Sequence, residues 1–188
     1  MAGSRSKLWR SLKRAKVIAR NFLRRPVVLG VIEFLLMLGI LYFLFTGVMT
    51  LVLRTDSFWR GVTSQSMRHE DDYSWRQYYI NRGIDSYKFP IQGGFERGDL
   101  LIIQGVGSFS EINIGDVVVL DQGSGVIPLV HRVVEIWYQD GSPRFMTKGD
   151  ANSSPLPVEV SNSPEQILGK VILVIPKLGY ISLWFQGQ

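Results

Sequence analysis

Apolar and polar residues are arranged in two different ways along this chain, and the change comes near residue 54. Residues 34–53 run without a single charged side chain. At about 1.5 Å rise per residue, such a run reaches about 30 Å as a helix, the thickness of a bilayer's hydrocarbon core. It predicts a membrane-spanning helix. Pro26 and the apolar residues from Val27 extend that helix at its start, with Glu33 near the entry interface, where a carboxylate can snorkel. The predicted anchor is 26–54. Beyond it the pattern becomes short apolar runs punctuated by glycine, at 99–104, 116–120, 127–136, 144–147 and 170–175. Runs of this length, rich in Val, Ile and Leu, predict β-strands. Gly98-Asp99 and Gly115-Asp116 each open one, and Asp140-Gly141-Ser142-Pro143 has the residues of a hairpin connection. A mainly β, antiparallel domain is expected over 55–188. Residues 74–82 break the pattern and predict a short helix, with Ser74 as N-cap and Gly83 as its stop. Trp75, Tyr78, Tyr79 and Tyr73 suit either an interfacial aromatic patch or packing on the core.

Charge changes this picture at one end. The first 25 residues carry nine Lys and Arg and no acid. Cationic flanks are retained on the cytoplasmic side, so 1–25 reads as a basic cytoplasmic arm and the domain after the anchor as extracytoplasmic. Leu8, Leu12, Ala15, Ala19 and Phe22 fall at roughly helical spacing, which suits an amphipathic helix on an anionic leaflet as well as a plain topology signal. Without those nine cations, 12 of the 21 Lys and Arg remain against 16 acids. The main domain is therefore mildly acidic, and nucleic acid is not an expected partner. The apolar run is longer than the usual 7–15 residues of a secretory signal and lacks an Ala-x-Ala site, so an uncleaved anchor is expected. There is no cysteine, which excludes disulfides, thiolate metal sites and a cysteine nucleophile. A length of 188 residues suits one domain plus a membrane segment.

Three residues offer chemistry in order along the chain: Ser66 in Thr-Ser-Gln-Ser-Met, His131 in Val-His-Arg-Val-Val and Asp150 in Thr-Lys-Gly-Asp. A serine hydroxyl needs a base to take its proton, and the base needs a group that holds its tautomer. Ser64 stands two positions from Ser66, on the same side of an extended strand, and with the Ser66 backbone N–H is an oxyanion-hole candidate. Each residue alone has an ordinary explanation. Ser-x-Ser-Met is common, His131 shares an alternating face with Leu129 and Val133, and Asp150 suits a turn cap. His69 precedes Glu70, Asp71 and Asp72, but no second histidine at a ligand spacing accompanies it, so no metal and no cofactor is expected.

The ordered set is more specific. Ser64-Gln65-Ser66-Met67, Arg97-Gly98-Asp99-Leu100-Leu101, Gly115-Asp116-Val117-Val118-Val119, Val130-His131-Arg132-Val133-Val134, Phe145-Met146-Thr147-Lys148-Gly149-Asp150 and Gly169-Lys170-Val171 resemble the successive boxes of the type I signal peptidases. The match is to the endoplasmic-reticulum and archaeal branch, where histidine replaces the lysine base. The resemblance implies a membrane-anchored serine endopeptidase that removes signal peptides from secreted and membrane preproteins. Its partners would be those signal peptides, the lipid bilayer and a secretion translocon. It also implies Ser66 as nucleophile, His131 as base and Asp150 as the orienting carboxylate. The chain departs from the family in three places. No proline follows Ser-Met-x. Residues 69–97 read as an insertion. Pro155 and Leu156 stand where a second aspartate is usual, and the next acid, Glu159, differs in length and offset. Two other readings remain at this point. One is a catalytically inactive membrane-anchored binding or assembly protein of the same fold. The other is a self-cleaving serine–lysine regulator, a soluble class with lysine where His131 stands.

Overall fold

The computed structural model describes Lys16 and residues 26–185; apart from Lys16, the basic arm expected over 1–25 lies outside the described residues. The described residues fall into two compact units that divide between Val48 and Met49. Helix α1 (Pro26–Leu53) runs for 28 residues. Proline opens it at a position where a missing N–H costs nothing. Its side chains point outward almost throughout, and it is long and apolar enough to cross a membrane.

The second unit is a six-stranded antiparallel sheet. Its strands are β1 (Trp59–Gly61), β2 (Leu100–Gln104), β3 (Val117–Leu120), β4 (Leu129–Gln139), β5 (Ser142–Lys148) and β6 (Ile167–Ile175), in the order β1-β2-β6-β3-β4-β5. All five runs expected to be strands are strands. The sixth, β1, was not expected, because three residues are too few to show a period, and it exists through its pairing with Leu100–Ile102 of β2. The β4–β5 hairpin turns on Asp140 and Gly141, with φ of 51° and 76°, between the paired Gln139 and Ser142. Two successive positive φ values make the two-residue turn whose twist matches that of the strands. Pro143 is tolerated because β5 is a sheet edge.

The two Gly-Asp elements are copies of one turn. Gly98 and Gly115 have φ of 92° and 98°, and the following aspartate amides bond back to the carbonyls of Glu96 and Asn113 at 3.1 Å. Positive φ at the third position of such a turn calls for glycine. In each copy the aspartate side chain closes the turn by accepting from the amide of its first residue, Glu96 at 2.9 Å and Asn113 at 3.0 Å.

Strand β3 is buried on both faces. Val117 and Val119 join Val62, Met67, Leu101 and Ile103 in one cluster, while Val118 and Leu120 join Val133 and Phe145 in another. A third cluster joins Trp75, Tyr79 and Phe89 to Val134 of β4, so of the expected aromatic set Trp75 and Tyr79 are core residues, while Tyr73 is exposed. Trp75 and Tyr79 lie on helix α2 (Ser74–Ile80). Ser74 is not its cap. Instead, the Asp71 carboxylate accepts from the amides of Tyr73 (2.7 Å) and Ser74 (2.5 Å), a charge-assisted bond that a hydroxyl cannot match. The last helix, α3 (Gly179–Phe185), packs against β1.

Candidate active site

Ser66 lies in the turn that follows β1, and His131 near the start of β4. The fold brings them together: the Ser66 hydroxyl lies 2.8 Å from His131 Nε2. The other ring nitrogen, Nδ1, donates to Glu159 Oε1. With that proton on Nδ1, Nε2 presents its lone pair to the serine O–H. Glu159 is fully buried, and its carboxylate is held from two further sides. Thr147 Oγ1 donates to Oε1 at 2.8 Å, and the Leu156 amide donates to Oε2 at 2.9 Å. Pro157–Glu159 forms one 3₁₀ turn, closed by the Glu159 amide on the Leu156 carbonyl, and this turn aims the carboxylate at the imidazole. Ser64, exposed at the surface, has its hydroxyl 3.2 Å from that of Ser66.

Asp150, expected to orient His131, is elsewhere engaged. Arg132 holds it from Nε (3.0 Å to Oδ1 and 3.1 Å to Oδ2) and Nη2 (2.7 Å to Oδ2), and His69 Nε2 lies 2.7 Å from Oδ2. The reason is competition. Arg132 follows His131 along a strand, so its side chain leaves the opposite face, and a buried guanidinium needs a carboxylate. Its remaining donors reach the carbonyls of Pro90, Gly115 and Ile91, and it lies over the Trp75 ring. Burial pushes the Asp150 carboxyl upward, but the bonds from His69 and Arg132 outweigh burial and hold it below the usual aspartate value. His69 stacks on Trp75 with ring centroids 4.5 Å apart. It is an Asp150 partner, and among the described residues no three or more His, Cys, Asp and Glu are grouped as metal ligands.

The residues around Asp150 hold the site through their backbone. The loop after β5 places the Ala151 amide 2.8 Å from the Ser66 carbonyl. Lys148 ties the loop down, donating to the carbonyls of Gly149 and Asn152 at 2.8 Å each; burial lowers the affinity of its amine for a proton. Gly149 admits no side chain. A Cβ there would lie 2.8 Å from Ser66 O and 2.9 Å from His131 Nε2.

A groove of about 400 Å³ lies between the chain segments that precede Ser66 and His131. One wall is Trp59, Arg60, Gly61 and Thr63, the other is 125–128, and Ser182 of α3 also lines it. The first wall continues in the chain to Ser66 and the second to His131. At 129–131, β4 lies beyond its last pairing with β5, Arg132 with Lys148.

Sequence reasoning passed over Glu159 as the imidazole's partner. Its legible signal was Leu156-Pro157 three and two residues before an acid, the pattern of a short turn whose side chain folds back.

The chain is similar to proteins named signal peptidase complex catalytic subunit SEC11. Identity is 31% over 98 residues with that of Verticillium alfalfae, which is 50% of this chain and 57% of the relative. With that of Saccharomyces cerevisiae it is 33% over 104 residues, 50% of this chain and 59% of the relative. The protein of Chaetomium globosum is 30% identical over 98 residues. The match thus spans less than two thirds of these relatives' length. No family model matches the chain. The relatives are of the endoplasmic-reticulum type I signal peptidases, the family whose boxes the sequence resembles.

Proposed function

We propose that this chain is a membrane-anchored serine endopeptidase that cleaves signal peptides from preproteins, with α1 as its anchor and the β domain outside the cytoplasm. The observation that carries the reading is the line from Ser66 Oγ through His131 to the buried Glu159 carboxylate. His131 Nε2 takes the serine proton as Oγ attacks the scissile carbonyl, and Glu159 stabilises the imidazolium that forms. The Ser66 amide and the Ser64 hydroxyl receive the developing oxyanion. His131 then protonates the departing amine, and water, activated by the same imidazole, releases the acyl group from Ser66.

The groove takes the substrate as an extended strand. Pairing with the wall before Ser66 and with open β4 turns alternate side chains towards the protein. The resemblance implies small side chains at the first and third positions before the cut.

The inactive-scaffold reading drew its support from the missing second aspartate. Glu159 supplies a carboxylate at the imidazole, so that support is gone. The test is cleavage of a preprotein by the full chain reconstituted in membranes, beside Ser66→Ala. Cleavage by the wild type alone is expected; equal turnover by both would end the serine mechanism.

A further inference from the structure

The groove wall carries one charged side chain. Arg60 sits on β1, half-buried, in a groove otherwise lined by Trp59, Gly61, Thr63, residues 125–128 and Ser182. Among the described residues it has no hydrogen-bond or ion-pair partner. The two fully buried arginines of the unit are matched: Arg132 by Asp150 and the carbonyls of Pro90, Gly115 and Ile91, and Arg76 by the Ser86 and Asp72 carbonyls and Gln92. Half-buried Arg144, on β5 and outside the groove lining, also has an unpartnered Nε. Burial alone lowers the proton affinity of Arg60, with no charge near enough to counter it. A partly desolvated guanidinium without an anion is costly, and its planar fork fits a carboxylate with two parallel hydrogen bonds.

We propose that Arg60 is a specificity residue of this groove, selecting peptides that carry a carboxylate side chain several residues before the cut. The inference rests on the substrate groove of the preceding reading. Its position follows from the chain: Arg60 lies six residues ahead of Ser66. Residues 60–63, ahead of the turn that carries Ser66, span roughly 10 Å if extended, enough to place Arg60 upstream of the first and third positions before the scissile bond. At those positions the peptide meets the wall nearer Ser66, and Arg60 meets the segment upstream of them.

The test uses the full chain in neutral-lipid membranes and a preprotein series with Glu, Gln or Lys placed singly at each of about eight positions before the cut. Wild-type kcat/KM for Glu over Gln should reach about tenfold at one upstream position, the size of one good charge-assisted bond. In Arg60→Gln that ratio should fall to about one, and in Arg60→Glu the preference should pass to Lys. Ratios within each variant cancel any change in folded fraction. Binding of the same peptides to Ser66→Ala, followed by fluorescence anisotropy, should show the same Glu preference and needs no turnover. A Glu-to-Gln ratio near one at every position, in cleavage and in binding, overturns the proposal, as does a preference that survives in Arg60→Gln. An Arg60 effect seen only as a changed response to anionic lipid would also overturn it, making the residue a headgroup contact. Loss of cleavage with the binding preference intact would instead count against the peptidase reading and leave the assignment of Arg60 standing.

Discussion

At the scale of single residues, the carboxylate beside the imidazole is Glu159 and not Asp150, the one the sequence suggests. Glu159 reaches the imidazole, and Asp150 neutralises Arg132. Their amide variants should therefore fail differently. Glu159→Gln keeps the shape of the side chain but cannot stabilise the imidazolium and can hold the wrong tautomer; kcat should fall by about 10⁴ with the fold retained. Steady-state kinetics beside a thermal melt checks this, and near-normal turnover would show that the carboxylate is dispensable. Asp150→Asn leaves the Arg132 guanidinium buried without its counter-charge. A loss of about 3–5 kcal/mol of stability is expected, visible as a lower urea midpoint. An Asp150→Asn protein of unchanged stability and lost activity would return Asp150 to the chemistry.

At the scale of elements, the loop after β5 positions Ser66. Lys148 holds the loop carbonyls, the Ala151 amide holds the Ser66 carbonyl, and Gly149 leaves room for that carbonyl and the His131 ring. Gly149→Ala puts a methyl group 2.8–2.9 Å from Ser66 O and His131 Nε2, closer than carbon tolerates. A misplacement of this size in a near-attack geometry costs on the order of 10²-fold in kcat. The secondary structure should survive, so circular dichroism should match the wild type while turnover drops. Full activity in Gly149→Ala would mean that the loop moves freely during the reaction. The helix of the 69–97 segment contributes at this scale too. Trp75 supports His69 and underlies Arg132, which ties that segment to the Asp150 cluster.

For the whole molecule, that cluster sets an acid limit. The folded-state pKa of Asp150 lies below the ordinary 3.8. Its contribution to stability is therefore complete above that ordinary value and is lost as pH falls through the lowered folded value. Urea unfolding of the wild type over a descending pH series should show a steep acid loss. Asp150→Asn should lack that component and give a flatter curve from a lower plateau. Parallel curves for the two proteins would show that Asp150 does not carry the acid transition. Both proteins should be compared in the same membrane mimetic, because α1 exposes an apolar surface throughout its length.

Much of this protein was settled by local pattern. The apolar run ending at Leu53, the five strand runs, the hairpin at Asp140-Gly141 and the two Gly-Asp turns each depend on residues within a few positions of one another, where periodicity and allowed φ decide the outcome. Ser66 and His131 stood out for a different reason, through the ordered boxes around them. Two things were decided only in the tertiary structure. Strand β1 forms because β2 offers an edge, and the partner of His131 is Glu159 because Asp150 is taken by Arg132. In each case the partner lies far away along the chain. Which partner is taken depends on distance, burial and charge in space, which residue spacing alone does not specify.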